Sequence, residues 1–303
     1  MRPVRPILPL RLLALLAVVF ALVAGVASCS GKDAADPPPE TSPETTPTTA
    51  APAGTLIATA TTPTLIVFSA PPSELRDPAE PTTPTTAPAK GARAPIPREG
   101  LNSAGVAKVP LGYEFDNPTY FGNPLVMQVV EEHGEWLKVL IQARPNHTEG
   151  WVRASDVEVT STTYRMVLSL ADRHLTVYDG DEVVAETDVV IGKDTTPTPV
   201  GAFYLSEKIA QKNPGGAYGP WILSTNGYSE ALDLFDNGLP VVAFHGTNQP
   251  DLIGTQASNG CIRMPNDVAA KLAEMLPAGT PIVIVSESLK DAEASDTTLA
   301  PAA

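Results

Sequence analysis

The sequence predicts a mainly β protein built from two folded units, with a single helix of consequence. Three observations carry that prediction. Short apolar segments recur along residues 63–286, several of them with period-two alternation, and β-branched residues are frequent in them. Turn formers such as His133-Gly134 and Asp179-Gly180-Asp181 fall between these segments at hairpin spacing. Only residues 266–276 show the apolar spacing of an amphipathic helix, with Val268, Leu272, Met275 and Leu276 on one face.

Taken in order, residues 1–28 read as an export signal. Arg2 and Arg5 form a basic start, residues 12–26 are apolar without an acid, and Ala27-Ser28 supplies the small residues before a cut. Cys29 follows directly, as in the bacterial lipobox, where the first thiol of the mature chain receives a diacylglycerol. The alternative is an uncleaved membrane anchor, since residues 11–27 nearly suffice to span. A Cys immediately after small residues favours the lipoprotein. Either way the body lies outside the cytoplasmic membrane, in the cell envelope.

Residues 29–62 read as an extended tether of Pro, Thr, Ala and acids, too poor in large apolar side chains to offset its ordering entropy. Residues 63–160 read as a small β domain with a disordered insertion at about 77–98, where Pro-Thr-Thr-Pro-Thr-Thr-Ala-Pro recurs to the tether's composition. Its strands are Thr64–Phe68 and the segments 107–110, 125–130, 136–141 and 150–153. Gly150-Trp151-Val152-Arg153-Ala154-Ser155-Asp156-Val157 resembles the last strand of bacterial SH3-like barrels. The rival reading makes residues 31–100 one linker. Trp136 and Trp151 are expected in the core or at a domain interface, and His133 and His147 in solvent-facing turns.

A second β unit spans residues 162–286. Segments 164–170, 174–178 and 182–191 read as a meander, and Asp194-Thr195-Thr196-Pro197-Thr198-Pro199-Val200-Gly201 as a rigid scaffolding turn into the strand at 202–205. Residues 213–220, with Gly on both sides of Tyr218, form a loop suited to a flap over a cleft. An ordinary surface loop is the other reading. Asn266 is placed to cap the helix, and 281–285 adds a final strand. Residues 287–303 read as a disordered tail.

The charge balance of −14 excludes a nucleic-acid role, which wants basic faces. Of two cysteines, an acylated Cys29 leaves Cys261 without a disulfide partner. Cys261 sits in Ser258-Asn259-Gly260-Cys261-Ile262-Arg263-Met264, among polar residues and not in an apolar run. His245 lies sixteen positions upstream, at the end of Pro240-Val241-Val242-Ala243-Phe244. A sulfur, a base and backbone donors for an oxyanion are the parts of thiol acyl transfer. One Cys and one His fall short of a zinc set, so no metal and no cofactor is expected.

Ser258, Gly260, Cys261, Ile262 and Arg263, with His245 upstream, resemble the L,D-transpeptidase catalytic domain, the YkuD-like family. Asn259 departs, standing where that family usually has a second His. The resemblance implies a peptidoglycan L,D-transpeptidase with Cys261 as nucleophile and His245 as base, forming 3→3 cross-links between stem tetrapeptides. The orienting partner of His245 is a backbone carbonyl near Ser258 or Gly246. Gly260 and Cys261 N–H groups are the expected oxyanion donors, and Tyr218 and Asn259 belong to the substrate-binding group. Arg263 either grips a substrate carboxylate or packs against Asp267. Two other functions stay open: an L,D-carboxypeptidase using water at the same site, and a non-catalytic wall-binding lipoprotein.

Overall fold

The computed structural model describes residues 54–70, 107–109, 111–236 and 238–294. The export signal, Cys29, most of the tether and the insertion at 77–98 lie outside the described residues. Among those described, no helix is long and apolar enough to cross a membrane.

The first unit is an eight-stranded antiparallel sheet. Its strands are β1 (Thr55–Ala60), β2 (Thr64–Phe68), β3 (Ala107–Val109), β4 (Gly112–Asp116), β5 (Val126–His133), β6 (Trp136–Leu140), β7 (Glu149–Arg153) and β8 (Val157–Thr162). They are ordered β3-β4-β2-β7-β6-β5-β1-β8. In β2, Leu65 and Val67 turn inward while Ile66 stays exposed, the alternation a half-buried sheet demands. Leu65, Val67, Phe115, Met127, Val139, Ile141 and Val152 close a core of their own.

Two expectations need correction here. The sheet begins at Thr55, inside the stretch 29–62 read as tether. β1 pairs with β5 on one side and β8 on the other, burying Ile57, Ala58 and Ala60. Its Thr and Ala residues share the tether's composition, but small side chains are also what a strand between two others can bury. Trp136 and Trp151 are half-buried and lie outside that core; Trp136 meets Phe68 edge-on and the Arg153 guanidinium over its ring.

The chain passes from β8 into the second unit after one residue. There β9 (Tyr164–Ser169), β10 (His174–Asp179) and β11 (Glu182–Asp188) form the expected meander. β12 (Ile191–Gly192) precedes β13 (Gly201–Ala210), β14 (Trp221–Tyr228) and β15 (Val241–His245). After them come β16 (Gln256–Ser258), β17 (Ile262–Arg263), the helix α1 (Asn266–Met275) and β18 (Pro281–Val285). The sheet order is β11-β10-β9-β18-β13-β14-β15-β17, with β12 and β16 as a separate parallel pair. The last strand, β18, inserts between β9 and β13, parallel to β9. The run Pro281-Ile282-Val283-Ile284-Val285 is buried throughout, as a central strand requires.

Helix α1 lies on this sheet through Ala269, Leu272 and Ala273. Its last carbonyls, at Ala273 and Leu276, accept from Lys208 Nζ at 2.8 Å each, which satisfies groups a helix end leaves open. Asn266 is not its cap. Pro265 holds the cap position, and Asn266 Oδ1 accepts the Thr247 N–H at 2.7 Å instead. The tail is shorter than expected as well. Residues Leu289–Ala294 form helix α2, tied by the Leu289 N–H to Asp172 at 2.9 Å and by buried Ala292.

The two sheets meet across Ile57, Val126, Leu140 and Tyr204. Burial raises the Tyr204 phenol far beyond its ordinary value, so it stays neutral.

Candidate active site

β15 delivers His245. Val242, Ala243 and Phe244 before it are buried, so the strand runs as an inner member between β14 and β17, and the imidazole emerges only 3% exposed. Its Nδ1 lies 2.6 Å from the Gly246 carbonyl oxygen. A carbonyl only accepts, so Nδ1 carries the proton and Nε2 is the basic atom. Of the two carbonyls the sequence left open, Gly246 is the partner. Burial, aided by the Arg263 charge and opposed by the Gly246 bond, lowers the imidazole from 6.5 to about 4. His245 is therefore neutral at pH 7.

Cys261 is placed by strand pairing on both sides. Ahead of it, Ser258 closes β16; behind it, Ile262 and Arg263 pair with Phe244 and His245 in parallel register. Between them Gly260 adopts φ +114°, a backbone region that side chains disfavour. Ser258 Oγ accepts the Gly260 N–H at 3.1 Å and donates to the Cys261 carbonyl at 2.5 Å, closing a tight turn. The Thr-Pro-Thr-Pro segment braces this turn from below. Thr196 Oγ1 donates to the Ser258 carbonyl at 3.3 Å, and Thr198 Oγ1 donates to the Gly260 carbonyl at 2.9 Å. Thr198 Oγ1 also accepts the Gly192 N–H at 2.9 Å. The segment read as scaffolding thus holds the cysteine loop, through two threonine hydroxyls that sequence reasoning did not single out.

One expected role changes. The Gly260 N–H is spent on Ser258, which leaves the Cys261 N–H as the free member of the expected oxyanion pair. The Cys261 thiol itself is half-buried, and its Sγ lies 3.8 Å from the Val241 carbonyl. Burial raises its pKa against the opposing pull of a backbone bond at Ala243 and of the Arg263 charge, so it rests as a neutral thiol.

Both groups open into one cleft of about 200 Å³, lined also by Tyr218, Ser229, Leu232, Phe235, Asn259 and Arg263. Tyr218 stands edge-on to the imidazole with ring centres 4.9 Å apart, so the loop 213–220 does cover the site. Close packing fixes that loop: a Cβ on Gly246 would meet Asn266 Oδ1 at 2.2 Å and the Gly219 Cα at 2.9 Å. Arg263 reaches Gln249 at 3.2 Å and not Asp267, and its buried Nε has no hydrogen-bond partner. Leu232, Phe235 and Ser229 come from the β14–β15 loop, whose irregular composition gave no signal.

The remaining histidines lie elsewhere. His174 pairs with Asp188 at 2.7 Å on the surface, His133 is exposed beside Trp151, and His147 lays its ring on Phe203. Among the described residues no three His, Cys, Asp or Glu side chains converge as a metal set.

A β-rich domain that presents a thiol and a neutral imidazole in one covered cleft defines the class. Residues 163–284 match the model of the L,D-transpeptidase catalytic domain, the YkuD family. Over 154 residues the chain is 33% identical to YkuD of Bacillus licheniformis, an alignment covering 48% of this chain and 85% of that protein. Over 151 residues it is 30% identical to YkuD of Bacillus subtilis, covering 48% and 84%. Among solved structures, it is similar to the catalytic domain of the E. faecium L,D-transpeptidase, with 27% identity, 40% and 96% of the two chains covered and a TM-score of 0.30. The chain belongs to the YkuD family of L,D-transpeptidases.

Proposed function

We propose that the protein is a peptidoglycan L,D-transpeptidase that works through a thioester on Cys261. The observation that carries this reading is the tautomer-fixed, neutral His245 opening into the cleft that holds the lone described thiol. Nε2 takes the thiol proton as Sγ attacks the stem tetrapeptide carbonyl at the diaminopimelate L-centre. The oxyanion that forms is stabilised by the Cys261 N–H. When the C–N bond breaks, the same proton leaves with the amine of D-Ala. A side-chain amine of a neighbouring stem then attacks the thioester and yields a proton to Nε2. The C–S bond breaks, and that proton returns to the sulfur, leaving a 3→3 cross-link.

Arg263 suits a substrate carboxylate, with an unpartnered Nε and a fork of donors at the cleft. Tyr218, edge-on to the imidazole, shields one side of it from water, which favours an amine over hydrolysis. In this reading Cys29 carries the lipid anchor and the enzyme works at the outer face of the cytoplasmic membrane. The antiparallel first sheet, with its own core, supports an SH3-like module beside the catalytic domain.

The test is incubation with purified stem tetrapeptide, read by product mass. A cross-linked dimer with D-Ala release is expected, and Cys261→Ala should give neither product nor adduct. Tripeptide alone would make the protein an L,D-carboxypeptidase. Full activity in the alanine variant would refute the thioester route.

A further inference from the structure

The cleft has a wall that its own domain barely holds. Residues 229–240 join β14 to β15 and contribute Ser229, Leu232 and Phe235 to the cleft around Cys261. The described bonds within this loop close its base, Ser229 N–H to the Pro240 carbonyl and Val241 N–H to the Leu239 carbonyl, and its tip, Ala231 N–H to Ser229 Oγ and a reciprocal pair between Phe235 and Gly238. Leu234 is 63% exposed and Phe235 42%, so little apolar burial fixes the tip.

What ties it down comes from the other sheet. The segment between β6 and β7, residues 141–148, reaches across with alternate side chains. Gln142 donates to the Thr225 carbonyl at 3.1 Å, and Asn146 exchanges two bonds of 2.9 Å with the Tyr228 backbone and reaches Glu230 at 3.2 Å. Arg144 goes furthest. Its guanidinium donates to three carbonyl oxygens of the wall: Ser229 at 3.2 Å, Leu232 at 2.7 Å and Asp233 at 3.4 Å. It also stands 5.4 Å over the Tyr228 ring. Among the described residues, no other hydrogen bond links residues 231–236 to the rest of the protein.

We infer that Arg144 is a positioning residue for substrate, by which the first β unit sets the shape of the cleft wall in the second. Five donors in a rigid planar fork can reach three separate carbonyls at once, whereas an ammonium offers three donors from a single nitrogen. The carbonyls it grips belong to Ser229 and Leu232, which line the cleft, and to Asp233. Loss of the fork frees the wall while leaving the cysteine loop intact, because that loop hangs on Thr196, Thr198 and Ser258. The consequence for substrate rests on the proposed stem-peptide reaction; the consequence for the wall does not.

The experiment compares Arg144→Ala and Arg144→Lys with Gln142→Ala, which cuts a bond at the same interface away from the wall. Hydrogen exchange across residues 229–240 and steady-state kinetics on stem tetrapeptide are read on the full chain. Arg144→Ala should speed exchange in the wall by about tenfold and raise KM by about tenfold. It should leave kcat within about twofold. Arg144→Lys should recover part of both effects, and Gln142→Ala should move neither. Unchanged exchange in Arg144→Ala overturns the inference, as does faster exchange with unaltered KM in an active enzyme. A wild type that releases no D-Ala would count against the proposed function alone, since wall exchange still decides the role of Arg144.

Discussion

Lowering the pH should unfold this protein partly through one buried imidazole. His245 is 3% exposed and titrates at about 4 in the fold against 6.5 for an ordinary histidine. Below 6.5 the unfolded chain binds a proton that the folded chain refuses, so acid favours unfolding. This contribution to stability is complete above pH 6.5, declines as the pH falls, and is gone below about 4. The difference of about 2.5 units corresponds to about 3 kcal/mol, at 1.36 kcal/mol per unit. With a urea slope of roughly 2–3 kcal/mol/M, the midpoint should drop by on the order of 1 M from this group between pH 7 and pH 4. Other groups titrate in the same window, so the comparison is with His245→Gln, which keeps a polar side chain and cannot charge. The variant's midpoint should fall by roughly 1 M less than the wild type's over that range. If both fall equally, His245 is not held neutral by the fold, and the account of a neutral base in the cleft fails.

Two further outcomes follow from the same geometry. Because burial raises the Cys261 thiol above its ordinary 9.0, its alkylation rate by iodoacetamide should keep rising past pH 9; a plateau between pH 5 and 8 would mean a preformed thiolate–imidazolium pair. Thr198→Val removes a hydroxyl that serves both Gly192 N–H and the Gly260 carbonyl. With about 1–3 kcal/mol for each of the two orphaned buried groups, it should cost roughly 2–6 kcal/mol by urea denaturation and slow D-Ala release. A loss below about 1 kcal/mol would show that the brace is dispensable.

The sequence made the catalytic half of the fold readable because its strands are apolar and long. Pro281–Val285 is a β-branched run, Tyr164–Ser169 holds an apolar stretch of strand length, and α1 shows its spacing plainly. Where composition was ambiguous the reading slipped. Thr55–Ala60 has the Thr and Ala of the preceding tether, and only its partners β5 and β8 reveal a strand. Residues Leu289–Ala294 are polar enough to pass for a tail, yet one carboxylate on Asp172 and one buried Ala292 suffice to dock them. Asn266 has the residue type of a helix cap, but the spatially adjacent Thr247 N–H claimed its oxygen. Competition of that kind depends on a fold and leaves no mark in a local pattern.

The site shows the same division between motif and context. His245 and Cys261 were legible because their chemistry needs those residue types, and strand pairing between β15 and β17 brings their segments into one cleft. Their protonation was not legible. A motif suggests an activated thiolate, whereas burial on both sides leaves a neutral thiol and a neutral imidazole in the same cleft. Under the proposed export to the envelope, that resting state has a consequence. A thiolate is the form that peroxides attack, so a thiol that loses its proton only as it meets a carbonyl is protected between turnovers. The fold obtains this by enclosing both groups under Tyr218 and a wall that the other sheet holds in place. Opening the wall should therefore do more than weaken substrate binding. Arg144→Ala, if it wets the cleft, should also raise the sensitivity of Cys261 to hydrogen peroxide, measured as loss of free thiol. Equal oxidation rates in the two proteins would show that protection comes from Tyr218 and the buried strands alone.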